Sequence, residues 1–464
     1  MKNKILIICH GSTFFTELYR VAEVIKDSSY TPWFLFHSYP TAKRDIDTCL
    51  NNQITCLDQK GNIITQTREN KPSTSPLLQK KTIKSYLKQI IKLLPFWNIL
   101  STIKDLRRQK NQYSLIITEH QPNIIILGGD QVGYDTPLII QEGHNHKIPT
   151  LIIPSTMSDG TEQAEVYYYD PSYHVKLGIN YLAAIIYPRW VKTHQNRKLL
   201  RVPGARLIAM EYLKLSPPLP WIFNSGFGDA IAVESNAMLT YYSKCGLSEH
   251  QLRITGSPAD DILFHHTKNY TKSKKELCDK LNLPEGLPII LTALPPDSLY
   301  MLGGRPQCDF QEYEKLVQFW LNSLGDIENY SIIVSLHPSI KYEEMKHIEQ
   351  FNVKISTENI VRLIPICDIF VASVSSTIRW AISCNKPVIN YDVYRYRYTD
   401  FINIEGVFNT EDQTDFLSFL KKITGDKTFY NKIKINQEQY SKKWGILDGK
   451  SGKRILKLID NLVD

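Results

Sequence analysis

The sequence predicts an α/β protein made of two doubly wound parallel-sheet domains that face each other across a cleft. Three observations lead there. Short apolar runs alternate with helix-period segments along most of the chain. The alternation breaks at a polar stretch with Pro284, Gly286 and Pro288, then starts again. The 464 residues also exceed what one core ordinarily supports, so two domains of roughly 200 residues each are expected. The expected boundaries are a first Rossmann-like domain over 1–270, a second over 285–440, and a last helix over 441–464 that returns to the first domain.

The first half opens with "KILIICHGSTFF", a buried-type strand that runs out at His10, Gly11 and Ser12. "TELYRVAEVIKDS" has helical periodicity and "PWFLFHS" is a second strand, which together open a parallel sheet. "PNIIILGGDQVGYDTPLIIQEGHNHKIPTLIIPS" repeats the pattern, with Gly128, Gly129 and Asp130 where the strand ends. Residues 170–220 mix aromatics, Lys and Arg around helical stretches and read as further helices on this domain. "DAIAVESNAMLTYYSKCGLSEHQLRITGSPADDIL" is another strand–helix–strand step, and the polar stretch after it, to Pro288, reads as the linker.

The second half begins at "PIILTALPP". Then come the helix "QEYEKLVQFWLNSL", the strand "SIIVSLHP", a further helix, "DIFVASVSS", a helix, and "KPVINYD". "DGKSGKRILKLIDNLVD" closes the chain as an amphipathic helix. Functional residues in such sheets gather at the carboxyl ends of strands.

Composition narrows the function classes. Hydrophobic residues at 42% and charged residues at 22% match a soluble globular protein. No secretory leader or membrane-spanning run is recognisable, and the eight cysteines form no CxxC pair. Reduced thiols in a cytoplasmic protein fit this better than disulfides or zinc. The net charge of +8 is modest but uneven. Residues 80–110 carry nine Lys and Arg against Asp105 alone, with Ile83, Leu87, Ile90, Ile91 and Leu94 at helical spacing. Two readings compete for this segment: a helix lying on an anionic membrane surface, or a core-facing helix with a solvated basic back. No nucleic-acid recognition module accompanies it, so nucleic acid is not an expected partner.

Three strand ends in the second half carry the chemistry. "LTALPPDSLYMLGGRPQ" runs into a long loop from which Arg305 can reach a phosphate. "SLHPSIKY" ends a buried strand at His337 and Pro338, where an imidazole can donate to a phosphate oxygen. "DIFVASVSSTIRWAI" places Ser373, Ser375, Ser376 and Thr377 at a strand-to-helix turn. A helix cap needs one hydroxyl; four in five positions fit an anion site built on backbone N–H groups. Neither a P-loop nor a GxGxxG fingerprint is present, so nicotinamide and flavin cofactors are not expected.

The paired-domain layout, "RITGSPADDI", "LHP", "DIFVASVSST", "NKPVINYD" and "LDGKSGKRI" together resemble GT-B glycosyltransferases. Nucleotide-sugar 2-epimerases and CDP-glycerol glycerophosphotransferases share this organisation. The HP pair and the serine cluster resemble bacterial transferases that use CMP-activated acid sugars, such as sialyl and Kdo transferases. That resemblance implies that His337 and Pro338 contact CMP and that Ser375 and Ser376 hold its phosphate. UDP-sugar 2-epimerases typically carry Ser-Gly-Gly and then a Glu that holds the ribose. Here Ser376 and Thr377 take the glycine places and the Glu position falls near Ala381, which weakens the epimerase reading.

An inverting transfer needs a base for the acceptor hydroxyl. CMP-sugar enzymes often show an acidic pair followed by Gly, and "MSDGTE" has Ser158 in the first acidic place. The candidates are Asp159 first, Glu162 second, then Asp130 and His10. Neither a metal-ligand cluster nor a cofactor is expected. "YDVYRYRYTDF" has Arg395 or Arg397 to meet a carboxylate or phosphate, or is simply a packed aromatic loop. The expected function is transfer of a sugar from a nucleotide-activated donor, CMP-linked before UDP-linked, to a cell-surface glycan or lipid-linked acceptor. The expected place is the cytoplasm, with peripheral attachment to the inner face of the membrane through 80–110.

Overall fold

The computed structural model describes residues 3–37, 42–66, 95–158, 160–299, 308–336, 340 and 342–464. They divide into two compact units. The first holds Met1–Ala232, Tyr242–Arg253 and Ile455–Asp464; the second holds Val233–Tyr241 and Ile254–Arg454.

The first unit is organised by a sheet of order β10-β9-β6-β5-β1-β2-β3-β4. Its strands are β1 (Asn3–Cys9), β2 (Tyr30–Phe36), β3 (Thr55–Leu57), β4 (Ile63–Ile64), β5 (Ile124–Leu127), β6 (Thr150–Ile152), β9 (Ala230–Val233) and β10 (Leu252–Ile254). Ladders from β9 through to β3 are parallel, and β4 turns back antiparallel on β3. The strands are continuous apolar runs because helices cover both faces and neither face meets water. The helix Ser12–Lys26 follows β1 and buries Phe15, Leu18, Val21, Ala22 and Ile25. From the C-terminal helix Ser451–Val463, the side chains of Ile455, Leu458 and Ile459 join this same core.

The second unit has the order β13-β12-β11-β14-β15-β16. These are β11 (Ile289–Ala293), β12 (Ser331–Ser335), β13 (Lys354–Ser356), β14 (Ile369–Ala372), β15 (Val388–Tyr391) and β16 (Val407–Thr410), all parallel. Trp320, Tyr391 and Phe416 stack in its core, and the Trp320 Nε1–H donates to Thr292 Oγ1 at 2.8 Å. Both sheets are doubly wound, as the sequence pattern predicts.

Two expectations need correction. The polar stretch read as a linker is mostly helical, over Asp260–Lys268 and Tyr270–Leu281. Its buried stripe is narrow and partly polar, through Leu263, Ser273, Leu277 and Cys278, so Lys and Glu dominate the composition. Of the basic segment, residues 80–94 lie outside the described residues. The rest of it lies in the helix described over Pro95–His120. That helix buries Leu106, Tyr113, Ile116 and Ile117 and exposes Lys104, Arg107 and Arg108. Between 170 and 220 the helices Ile179–Ile186 and Gly204–Tyr212 are joined through a hairpin, β7 (Val191–His194) with β8 (Arg197–Leu200). The sequence reading had no hairpin there.

Candidate active site

Strand order locates one candidate region in each unit. In the second unit the chain winds outward from β11 to β12 and β13, then from β14 to β15 and β16. The winding direction therefore reverses between β11 and β14, where a crevice opens at the carboxyl ends. The serine cluster follows β14 and sits at that reversal.

The cluster does not cap a long helix. The following helix, Ile378–Ser383, is short, and the loop before it makes the site. Val374 is left-handed at φ 47°, unusual for a β-branched residue. A left-handed residue beside right-handed ones turns successive N–H groups toward one point, the nest geometry that binds anions. The Val374 N–H donates to Asn390 Oδ1 at 2.8 Å, which fixes the turn to β15. The Ser375 hydroxyl is 2.8 Å from Thr377 Oγ1 and accepts the Thr377 N–H at 3.3 Å. Among the described residues nothing accepts from the N–H of Ser375 or Ser376. The buried Ser373 hydroxyl oxygen is also without a partner. Two amides and two hydroxyls, those of Ser373 and Ser376, thus remain for a ligand.

The adjoining side chains are committed elsewhere. Arg379 forms a fully buried ion pair with Glu234, and Ala381 is buried within the same helix. Asp260 is close to this pair; burial pushes its carboxyl up to about 7 against the pull of two backbone N–H groups and Arg379. Arg395 pairs with Asp309 at 2.6 Å, and Arg397 makes a two-point contact with Glu411 at 2.8 and 3.0 Å. Protein carboxylates hold both arginines here, which favours the packed-loop reading of this segment. Arg305, His337 and Pro338 lie outside the described residues.

In the first unit the reversal falls between β1 and β5. His10 ends β1 and Gly128-Gly129-Asp130 end β5. A Cβ on Gly128 would come within 2.6 Å of Phe14, and one on Gly129 within 2.6 Å of Phe223, so both glycines are there to let aromatic rings close in. His10 stacks on His37 with centroids 4.4 Å apart and lies 5.2 Å from the Tyr134 ring. The Tyr113 hydroxyl donates to Asp135 at 3.0 Å and lies 3.3 Å from His37 Nε2. Burial, with His37 beside it, holds His10 well below the ordinary imidazole range; burial also lowers His37, against the pull of Asp135. Both rings are neutral near pH 7.

Asp130 is fully buried, and its carboxylate accepts the N–H groups of Ser225, Phe227 at 2.6 Å and Gly228 at 3.0 Å. That is the geometry of a turn anchor, and it leaves no face for an acceptor hydroxyl. Its place as a candidate base is corrected on this ground.

The "MSDGTE" turn is built differently. Gly160 is left-handed at φ 84°, and a Cβ there would strike the Trp221 carbonyl at 2.3 Å. The Ser158 hydroxyl accepts the Gly160 N–H at 3.2 Å and donates to Gln163 at 3.1 Å, so this serine shapes the turn. Glu162 enters the next helix, Thr161–Tyr167, in its first turn. Its residue surface stays open to water while the protein crowded round its carboxyl raises the pKa above the ordinary value. Its charge is felt at Tyr134, the ring beside His10, which links the two strand-end features. Asp159 lies outside the described residues. Sequence reading missed Val374, Asn390, His37 and Tyr134; the only signal for Asn390 was a lone amide inside the apolar run "PVINY".

No protein-family model matches the chain, and no curated protein matches its sequence. Solved structures do. They include the UDP-GlcNAc 2-epimerase of Neisseria meningitidis bound to UDP-GlcNAc, 11% identical over 99% of this chain and 100% of that one, TM-score 0.51. Staphylococcus aureus MnaA with UDP is 13% identical over 99% and 97%, TM-score 0.52. The wall teichoic acid polymerase TagF is 11% identical over 100% and 89%, TM-score 0.53. At such identities the likeness is one of fold. With two doubly wound parallel sheets and near-complete coverage of these structures, the chain has the GT-B fold.

Proposed function

We propose that this chain is a glycosyltransferase that takes a sugar from a nucleotide-activated donor and passes it to a cell-surface glycan or lipid-linked acceptor. The observation that carries this reading is the anion nest after β14, at the winding reversal of the second sheet. N–H groups of Ser375 and Ser376 and hydroxyls of Ser373 and Ser376, unpartnered among the described residues, suit a phosphate whose negative charge grows as it leaves. His337, Pro338 and Arg305, which lie outside the described residues, are the further donor contacts that the sequence offers.

The favoured donor is a CMP-linked acid sugar. The segment after the serines offers no carboxylate to a ribose, because Ala381 is buried and Arg379 is locked to Glu234. In the proposed step the acceptor oxygen attacks the anomeric carbon and gives its proton to a general base. The bond from that carbon to the phosphate oxygen breaks, and the electron pair leaves with CMP, so the anomeric centre inverts. The candidate bases are Asp159, which lies outside the described residues, and Glu162, with neutral His10 as a candidate to orient the acceptor. An enzyme of this kind works in the cytoplasm, beside the membrane from which it draws lipid-linked acceptors.

The experiment is incubation with CMP-, UDP-, GDP- and CDP-linked sugars, with and without acceptor glycans. CMP release that depends on acceptor supports the proposal. Isomerisation of a UDP-sugar without acceptor would replace it with a nucleotide-sugar 2-epimerase.

A further inference from the structure

The helix Ile179–Ile186 is turned inside out. Its small and polar residues face the protein: Ala183 is buried, and Asn180 Nδ2 donates to the carbonyls of Ser172 and His174 at 2.8 and 3.0 Å. Asn180 Oδ1 accepts the Gly204 N–H at 2.8 Å, and Gly204 lets the helix seat closely, since a Cβ there would come within 2.8 Å of it. Its large apolar residues point away. Ile185 is 60% exposed, Tyr181, Leu182 and Ile186 are each half exposed, and Leu177 just before the helix is 88% exposed. Residues 177, 181, 182, 185 and 186 recur at helical spacing, so they share one face. A helix packed for solubility alone presents the opposite arrangement.

The surroundings are basic. From Pro171 to Lys214 the sequence holds eight Lys and Arg against one acid, Glu211. Arg189 takes up that acid at 2.8 Å. Lys176, Lys198 and Lys214 are exposed and have no acidic partner among the described residues. Tyr212, 63% exposed on the neighbouring helix Gly204–Tyr212, adds an amphipathic ring carrying Arg107 over its face. An apolar ridge in a lysine-rich segment, whose lysines have no acidic partner among the described residues, with tyrosines beside it, matches the chemistry of an anionic lipid interface.

We infer that this face is a membrane-docking surface, in which Leu182, Ile185 and their neighbours enter the acyl boundary and the lysines meet anionic headgroups. A second copy of the chain is the competing occupant. A two-fold contact here would set the same lysines against themselves, which disfavours it. The inference rests on this surface and stands whether or not the chain transfers sugars.

The test is co-sedimentation of the full chain with phosphatidylcholine vesicles, with and without phosphatidylglycerol. Binding to the phosphatidylglycerol vesicles is expected, reduced by high salt. The variant Leu182→Ser/Ile185→Ser should lose at least about tenfold in vesicle affinity. Its melting temperature should match the wild type, because both side chains face solvent. Lys176→Gln/Lys198→Gln should lower binding a few-fold and erase part of the preference for phosphatidylglycerol. Equal vesicle binding by the serine variant overturns the inference, as does absence of wild-type binding at low salt. A wild-type dimer in light scattering that the serine variant renders monomeric overturns it in favour of the second copy.

Discussion

The Asn390 side chain accepts the Val374 N–H at 2.8 Å and so holds a β-branched residue left-handed at φ 47°. A strained valine costs about 1–3 kcal/mol and persists only where its surroundings impose it. The turn it imposes leads into the N–H groups of Ser375 and Ser376, which have no acceptor among the described residues, and the hydrogen bond ties that turn to the next strand. Removing the bond releases the nest without touching its donors.

Asn390→Ala should therefore weaken nucleotide binding about tenfold, on the order of 1.4 kcal/mol, with a folded circular dichroism spectrum. Val374→Gly should relieve strain and leave the fold as stable or more stable, yet also bind nucleotide less tightly, because the turn is no longer held in one form. Calorimetric titration together with thermal melts separates the two effects. Unchanged affinity in both variants contradicts a role for this turn.

The serines should divide their tasks. The Ser375 hydroxyl caps the Thr377 N–H, whereas the Ser376 hydroxyl has no partner among the described residues. Ser375→Ala is expected to cost about 1 kcal/mol of stability, in the range of a lost cap. Ser376→Ala should leave the melt unchanged and weaken donor binding five- to tenfold, about 1 kcal/mol. The reverse pattern would make Ser376 the structural residue of the two.

For Glu162, pH gives the test. The protein crowded round its carboxyl lifts its pKa above the ordinary carboxylate value, so ionising it costs folding stability as pH rises from the unfolded value through the raised one. Glu162→Gln removes that cost and should be at least as stable as the wild type at neutral pH. If Glu162 is the base, the same variant should lose about a hundred- to ten-thousand-fold in turnover. The acid limb of kcat/KM should lie above the ordinary carboxylate range and vanish in the variant. Asp159→Asn, assayed alongside, shows which carboxylate of the turn carries the limb.

The stacked histidines make the opposite prediction. Burial lowers both His10 and His37, so the folded state refuses protons that an unfolded imidazole takes up near pH 6.5. Stability contributed by this pair is present above that value and falls as pH drops below it. His10→Gln/His37→Gln should melt at a temperature that varies less between pH 7.5 and 5.5 than the wild type does. An equal pH dependence would mean that other groups dominate acid unfolding.

What could be read from the sequence follows from periodicity. Buried strands such as "ILIIC", "IIIL" and "IFVA" are continuous apolar runs, and the helices between them keep their stripe, so both sheets were legible. Short edge strands such as Ile63–Ile64 and Val407–Thr410 carry too few residues to show a pattern. The helix Ile179–Ile186 hides its orientation, because composition says apolar but not which face is turned outward. The serine cluster was legible by its density of hydroxyls. The left-handed Val374 was not, since no residue type there announces it and the cause lies in Asn390, sixteen residues away. Asp130 misled for the reverse reason: a carboxylate at a strand end looks the same in sequence whether it faces a substrate or three backbone N–H groups.

The most direct measurement is calorimetric titration of the full chain with CMP, UDP, GDP and CDP, repeated on Ser376→Ala/Asn390→Ala. The account predicts that CMP binds most tightly and that the double variant loses at least about tenfold in that affinity while keeping its melting temperature within a few degrees. No binding of any nucleotide, or CMP affinity unchanged in the double variant, would contradict it.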